Sequence, residues 1–204
     1  MVEDHLAINA RIEQIKYSLL KKPGTVFSPV SKEANLPRAA VAMIIKPEPV
    51  NNDLLILLIK RNNREGDPWS GHMALPGGRY AETDHNLLST VTREVMEETG
   101  LDIRELSVLG TLDEIVPGSS IVRVTPYVLL AHMSQDLSVR IDPKEIKDYV
   151  WAPISFFLNR KNRASYTVQR LNQKLEVPSY TLGNDKIVWG MTLRIIDDLI
   201  SRIE

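Results

Sequence analysis

The sequence predicts an α/β fold in which a mixed β-sheet lies between layers of helices. Three observations lead to this prediction: apolar segments precede a central amphipathic helix, further apolar segments follow it, and a second amphipathic helix closes the chain. Strands that alternate with helices in this way are typical of a sheet covered by helices. Because a chain of 204 residues can bury a large single core, we expect one compact domain with an N-terminal extension.

The beginning of the chain predicts an amphipathic helix. Within residues 1–20, four apolar side chains recur at the spacing of one helical face. They are Ile8, Ile12, Ile15 and Leu19. This helix can pack on its own fold or on a second subunit, and the second alternative predicts a homodimer. Because prolines break the periodicity that follows, we assign residues 1–37 to this helix and an irregular connection.

Short apolar segments bounded by Pro, Asn or Gly predict the strands of the sheet. Two of them precede the central helix and three follow it: residues 39–46, 54–61, 105–115, 121–133 and 148–152. A polar insert at residues 47–53 joins the first two. The closing helix begins near Trp189 and has one apolar face, made of Ile195, Ile196, Leu199, Ile200 and Ile203.

The central helix is predicted to follow a cap candidate at Thr83 or Asp84 and to stop at Gly100. Its apolar face comprises Leu87, Leu88, Val91 and Val95. At about 100° per residue, Glu98 lies roughly 20° from Val91, inside this apolar face. Glu94 and Glu97 step away from it along one edge of the helix. One carboxylate therefore points toward the predicted core.

A carboxylate on the apolar face of a helix needs a positive partner. Burial of an unpaired carboxylate is costly, and acids in the last turns oppose the negative end of the helix dipole. Arg93 is one candidate, but it lies nearly opposite the apolar face, so a metal ion fits better. Since the chain has no cysteine, and no histidine lies one turn from these acids, the oxygen ligands favour Mg²⁺ or Mn²⁺ over zinc.

The residues around this helix resemble the signature of the Nudix hydrolases. Residues 93–101 read Arg-Glu-apolar-x-Glu-Glu-x-Gly-apolar, and residues 75–78 read Leu-Pro-Gly-Gly, the usual lead into the motif. Asp84 is the best match to the acid that the signature places before the Arg-Glu pair. The resemblance implies an α/β/α sandwich with a central mixed sheet, and it assigns residues 38–204 to a Nudix hydrolase domain.

Parts of the chain also resemble the coenzyme A diphosphatase-like branch of that family. The interval between the Gly-Gly pair and the Arg-Glu pair is one residue longer than the common form. Residues 57–61 resemble the branch's strand that ends in a basic residue, and residues 187–192 resemble its Trp-Gly-x-Thr helix start. Asp67 and Trp69 stand where the branch has Arg and His. The resemblance implies a coenzyme A-like, ADP-ribose-like or dinucleotide substrate without choosing among them.

The resemblance also implies the chemistry of the motif. A divalent ion, Mg²⁺ or Mn²⁺, would be bound by Glu94, Glu97 and Glu98, and it would act on the diphosphate of a nucleoside diphosphate linked to a group X. Glu94 and Arg93 are assigned to catalysis. We expect Arg93 to orient the acids through its neighbour Glu97.

Substrate contacts are predicted on both sides of the motif. Gly77 and Gly78 would shape the loop that presents the substrate, because a glycine backbone can approach a phosphate closely. Arg61, Arg79 and Arg123 are candidate contacts for the anion, since they flank the glycine pair or lie on a nearby strand.

The general base in this family can be a glutamate of the motif or an acid from a distant loop. We select Glu145 as the candidate outside the motif, and Asp113 and Glu114 are its rivals. Trp69 is a candidate for stacking on a base, and His72 lies close to the motif in sequence.

The composition limits the other classes of function. A net charge of −1 gives no argument for bulk attraction to nucleic acid or to a membrane, and the partner we expect is a small nucleotide-type substrate. The N-terminus does not resemble a signal peptide, so we expect a cytoplasmic protein. The alternative to an enzyme is a catalytically silent Nudix-fold module that binds nucleotides or regulates another process.

Overall fold

The computed structural model describes residues 4–25, 36–63, 70–118, 121–133, 135, 137–170, 173–183 and 185–204. Its helices are α1 (Asp4–Lys21), α2 (Leu87–Thr99), α3 (Ile154–Leu158) and α4 (Gly190–Ile203). Its strands are β1 (Arg38–Glu48), β2 (Asp53–Arg61), β3 (Met73–Ala74), β4 (Gly77–Arg79), β5 (Ser107–Thr111), β6 (Arg123–Leu130), β7 (Ile146–Pro153), β8 (Arg163–Arg170), β9 (Gln173–Leu182) and β10 (Lys186–Trp189). No helix in these ranges is long and apolar enough to cross a membrane.

In the part of the chain that the structure describes, the main sheet is mixed and has seven strands. β1 pairs in parallel with β6, and it pairs antiparallel with β2 through only its last residues. Beyond these residues the two strands have separate partners. Short β4 pairs with the first residues of β1, and short β3 pairs with the last residues of β2. β5 and β7 complete the sheet beside β6 and β2. This arrangement confirms the predicted mixed sheet.

Both faces of the main sheet are covered by helices. Successive residues of a strand point to opposite faces, and those of β1 divide between two cores. One core contains Ala40, Ala42 and Ile44 together with the apolar face of α2. The other contains Val41, Met43 and Ile45 together with side chains of α1, α3 and α4. The chain therefore forms the α/β/α sandwich that the sequence predicts.

The N-terminal helix packs on its own fold, the first of the two alternatives. Its four apolar residues are buried in the core that α4 shares, and the Gln14 side chain donates a hydrogen bond to the carbonyl of Ile203 at 2.5 Å. A homodimer through α1 stays a prediction and would have to use the exposed side chains Leu6, Tyr17 and Leu20. The domain division at residue 37 also stays a prediction.

The ends of α2 differ in how well the sequence predicts them. Gly100 stops the helix as expected, with a φ of 66° and its N–H donating to the carbonyl of Met96 at 2.9 Å. The cap prediction is wrong, because Asn86 caps the helix by accepting a hydrogen bond from the Ser89 N–H at 2.9 Å. Asp84 is therefore available for another contact.

A second sheet, made of β8, β9 and β10, was not predicted. β8 and β9 form an antiparallel hairpin that runs from the pair Arg163 and Tyr180 to the pair Arg170 and Gln173, and β10 adds to the free side of β9. Most side chains of the hairpin are exposed and many are polar, so the segment lacks the apolar runs by which the other strands were recognised. Pairing between the two strands defines this element.

Candidate active site

The glycine pair lets α2 approach the sheet more closely than any other residues would. A Cβ atom on Gly78 would lie 2.3 Å from the carboxyl carbon of Glu94, and one on Gly77 would lie 2.3 Å from the carbonyl oxygen of Ala40. Gly77 also has a φ of 144°, which side chains rarely allow. The pair is therefore a short strand against which the carboxylates of the helix pack, rather than a plain turn.

Glu98 lies on the buried side of α2, as the helical spacing predicts. Its residue is 2% exposed, and its Oε2 accepts a hydrogen bond from the Gly77 N–H at 2.8 Å. Among the described residues, Arg61 forms an ion pair with Glu98, and its Nη1 lies 3.8 Å from Oε1. Burial raises the pKa of Glu98 to about 8, although the Gly77 N–H and Arg61 oppose the shift. Within the described ranges, this buried carboxylate thus has one short hydrogen bond and one cation at 3.8 Å.

The other two acids of the motif differ in exposure. Glu94 is largely buried, and its Oε1 accepts a hydrogen bond from Arg93 Nη1 at 2.7 Å. Burial raises the pKa of Glu94, and the negative charges of Glu97 and Glu145 add to that shift. The Glu97 side chain is 57% exposed and accepts a longer hydrogen bond from Arg93 at 3.3 Å. Glu97 is not among the described residues that line the cleft beside the motif.

Arg93 is oriented by an acid to which the sequence analysis gave no contact. Its Nε and Nη2 donate to the two carboxylate oxygens of Asp84, each at 3.0 Å. Asp84 is buried, and it also accepts hydrogen bonds from the Thr90 hydroxyl and the Ala81 N–H. Hydrogen bonding to Arg93 holds the pKa of Asp84 well below its usual range. Asp84 therefore holds Arg93 in place, and Arg93 in turn orients Glu94. Its expected contact with Glu97 is the longer one.

The acids suit a hard divalent cation, although they are not arranged as a finished site. Among the residues that the structure describes, no group of three acids or histidines is placed to hold a metal ion. One oxygen of Glu98 accepts a hydrogen bond from the Gly77 N–H, and one oxygen of Glu94 accepts a hydrogen bond from Arg93. However, Glu94 and Glu145 both raise the pKa of Glu98 by charge repulsion. A cation would relieve this repulsion, and oxygen donors of this kind are the ligands of Mg²⁺ and Mn²⁺.

The structure brings one of the three candidate bases to the motif. Glu145 lines the same cleft as Glu94 and Glu98, and its carbonyl accepts a hydrogen bond from the Asn62 N–H at 2.8 Å, just beyond β2. Asp113 instead contacts the Arg202 side chain at 2.9 Å. Glu114, the next residue in the sequence, is also absent from the described residues that line the cleft.

That neighbour, Glu114, accepts a hydrogen bond from the Thr125 hydroxyl at 2.7 Å and lies 3.7 Å from Arg123 Nε. Neither Asp113 nor Glu114 is among the described residues that line the cleft, and neither is Arg123. The two acids therefore have structural partners elsewhere, and Arg123 pairs with one of them rather than with the site.

The cleft has a volume of about 660 Å³ and reaches well beyond the acids. Arg61, Arg79 and His72 lie along it, and the rings of His72 and Trp189 are nearly perpendicular with their centroids 4.8 Å apart. Asp67 and Trp69 lie outside the described residues. The opposite wall was missed by the sequence analysis and is built largely by the second sheet and the start of α4, with Val168, Leu175, Val177, Trp189 and Met191.

Comparison with protein families agrees with this geometry. Residues 36–170 match the model of the NUDIX domain. The chain belongs to the Nudix family. The match ends at the tip of the β8–β9 hairpin, so β9, β10 and α4 lie beyond the matched Nudix domain.

Two relatives from Arabidopsis thaliana extend over most of the chain. It is 29% identical to "Nudix hydrolase 15, mitochondrial" over 174 residues, which cover 83% of this chain and 60% of that protein. It is 31% identical to "Nudix hydrolase 22, chloroplastic" over 163 residues, which cover 78% of this chain and 53% of that protein. The chain thus spans between half and two thirds of the length of these two relatives.

A solved structure supports the Nudix fold. The chain aligns with a MutT/nudix family protein from Enterococcus faecalis with a TM-score of 0.56 and 18% identity, covering 88% of this chain and 65% of that one. At this identity the likeness concerns the fold, and it extends over most of the sandwich described above.

Proposed function

We propose that the protein is a Mg²⁺- or Mn²⁺-dependent diphosphohydrolase that cleaves the diphosphate of a nucleoside diphosphate linked to a group X. The observation that carries this proposal is the buried Glu98, which shares one cleft with Glu94 and Glu145 beside the glycine strand. A buried carboxylate with incomplete compensation is expected where a cation binds. The complete Nudix motif supports the same conclusion.

The reaction requires a water, a base and neutralisation of the phosphates. The water oxygen bonds to one phosphorus, the bond from that phosphorus to the bridging oxygen breaks, and the bridging oxygen leaves with the electron pair on the second phosphate. A bound divalent ion supplies charge neutralisation and a more acidic water. Glu94, Glu97 and Glu98 would hold it, and Glu145 would accept the proton of the attacking water.

The remaining residues position these groups. Arg93, held by Asp84, keeps one oxygen of Glu94 in place. Arg61 and Arg79 line the cleft near the acids and would contact the phosphates. A guanidinium group can donate two parallel hydrogen bonds to two oxygens of one phosphate. Gly77 and Gly78 leave room beside β4 for the substrate and for the carboxylates of α2.

The proposal is tested by incubating the purified protein with Mg²⁺ and a substrate panel. The panel contains coenzyme A, ADP-ribose, NADH and nucleoside triphosphates, with products separated by chromatography. We expect two phosphate-containing products from at least one diphosphate, and no product when EDTA replaces the metal. Binding of a nucleotide without turnover of any substrate would instead favour the silent Nudix-fold module.

We also keep a cytoplasmic location as a proposal. The names of the two plant relatives include a mitochondrial and a chloroplastic location, and these words describe those proteins. Fractionation of cells that produce the protein, followed by immunodetection, would test the location directly.

A further inference from the structure

The β8–β9 hairpin has an apolar face and a polar face. Residues opposite each other in an antiparallel pair lie on the same face, as do residues two apart in one strand. Val168 pairs with Leu175 and Tyr166 pairs with Val177, so these four side chains share a face. The pair of Thr167 and Glu176 lies on the other face. The hairpin is therefore amphipathic, although it stands apart from the main sheet.

The apolar face of the hairpin is turned toward the catalytic cleft. Val168, Leu175 and Val177 line the same cavity as Glu94 and Glu98. None of the three belongs to the two hydrophobic cores described above, and Leu175 remains 43% exposed. Apolar side chains that line a cavity without filling a core are typical of a binding surface.

The base of the hairpin is held firmly on the body of the protein. Arg163 donates to both oxygens of Asp197 on α4 at 2.6 and 2.9 Å. The buried Tyr180 donates its hydroxyl hydrogen to the carbonyl of Phe157 at 3.0 Å. Lys60 of β2 pairs with Asp185, next to β10. The base of the hairpin is thus anchored to α4, α3 and β2, and its outer half lines the cleft.

The two ends of the cleft differ in chemistry. The motif end contains the carboxylates of Glu94, Glu98 and Glu145 with the guanidinium of Arg61. The hairpin contributes three aliphatic side chains and, near its tip, Gln169. If the diphosphate of the substrate binds at the acids, the group attached to that diphosphate lies against the hairpin. Aliphatic side chains favour an apolar chain over a sugar or a second phosphate, because burying polar groups against them is costly.

We propose that the apolar face of the β8–β9 hairpin binds the group X, and that X is an aliphatic chain. This inference rests on the proposed function, since it concerns which diphosphates the same site accepts. Leu175 and Val168 are the residues that determine this selectivity. They contact the part of the substrate that does not react, so they affect its binding more than the chemical step.

A series of alkyl esters of ADP tests the inference. Methyl-ADP, butyl-ADP and octyl-ADP share the diphosphate and the nucleoside and differ only in the length of X. We expect kcat/KM to rise about fourfold for each methylene that the hairpin covers, mainly through KM. Equal kcat/KM values for methyl-ADP and octyl-ADP would overturn the inference.

Paired variants connect this effect to the hairpin. We expect Leu175→Ser to raise KM for octyl-ADP about tenfold and to leave kcat and the hydrolysis of methyl-ADP unchanged. The control is Glu176→Ser, the adjacent residue on the polar face, which should change neither substrate. An equal loss for methyl-ADP and octyl-ADP in Leu175→Ser would show a structural role and overturn the inference.

The series also separates this inference from the proposed function. If none of the esters and none of the substrate panel is cleaved, the hydrolase proposal fails and the inference fails with it. If methyl-ADP is cleaved and chain length has no effect, only the inference fails. A preference for phenyl-ADP over hexyl-ADP, which have the same number of carbons in X, would overturn the choice of an aliphatic chain.

Discussion

The two walls of the cleft are built in opposite ways. On the motif wall, glycines allow contact so close that a Cβ on Gly78 would overlap the Glu94 carboxylate, and the acids are held by hydrogen bonds. On the hairpin wall, pairing between two strands supports aliphatic side chains that remain partly exposed. The difference indicates that the catalytic carboxylates must be held in fixed positions. Selectivity for the substrate instead requires an apolar surface that the bound substrate covers.

The largest effect is expected from Glu98→Gln on the motif wall. The amide is similar in size but lacks the charge that would bind the cation, so turnover should fall by more than about a hundredfold. Initial rates in Mg²⁺ measure the loss, and circular dichroism checks the fold. The control is Glu105→Gln, an exposed glutamate outside the cleft. Full activity of Glu98→Gln would refute its assignment as a metal ligand.

Gly78→Ala tests whether the motif wall depends on close contact. The new Cβ would lie 2.3 Å from the Glu94 carboxyl carbon, so Glu94 must move, and we expect a loss of up to about a hundredfold in kcat. Overpacking of this kind also costs about 1–3 kcal/mol of stability, which denaturant unfolding measures. Gly118→Ala is the control, because a Cβ there meets nothing within 4 Å. Equal behaviour of the two variants would contradict the close-contact argument.

Asp84→Asn tests the support behind the acids. The Asn side chain keeps one acceptor oxygen, so Arg93 loses one of its two hydrogen bonds to this residue and the negative charge opposite it. We expect kcat to fall about tenfold. Because the folded protein lowers the pKa of Asp84, its stabilisation is present above the unfolded pKa of about 3.9 and is lost as the pH falls through the folded value. The stability difference between wild type and Asp84→Asn should therefore be larger at pH 7 than at pH 3. A constant difference would contradict the assigned pKa direction.

Glu98→Gln should also change stability in the absence of metal. Burial raises the pKa of Glu98 to about 8, so wild type loses stability as the pH rises from the unfolded value of about 4.3 toward 8. The variant lacks this penalty, and in EDTA its melting temperature should exceed that of wild type by more at pH 8.5 than at pH 5. Each kcal/mol corresponds to about 2–4 °C for a protein of this size. A gap that narrows with pH would contradict this prediction.

The smallest effect is expected when one apolar residue of each wall is replaced and only the stability of the protein is compared. Val91 is fully buried on the inner face of α2, whereas Leu175 is 43% exposed on the hairpin. We expect Val91→Ala to cost about 2 kcal/mol and Leu175→Ala less than about 1 kcal/mol. Denaturant unfolding of both variants gives the comparison, and an equal cost would show that the hairpin wall is part of the core.

Much of the motif wall could be predicted from the sequence, because its information is local. The spacing of Val91, Val95 and Glu98 along one helix defines a face, and the structure buries all three. The hairpin was missed because the other strands were identified as apolar runs, whereas Val168 and Leu175 alternate with polar residues. That alternation is the period of a strand with one apolar face, and it is the signal that could have identified the hairpin. Asp84 was assigned to the wrong local role, because its partner Arg93 lies more than two helical turns away.

By itself, the sequence determined the mixed α/β class, the motif helix with its intruding carboxylate and the Nudix resemblance. Only the tertiary structure decided that Glu145, rather than Asp113 or Glu114, shares the cleft with the motif acids. It also decided that the β8–β9 hairpin faces those acids. The physical reason is that helical spacing acts between neighbours in the chain, whereas a cleft is made by strands and loops that are brought together only when the core forms.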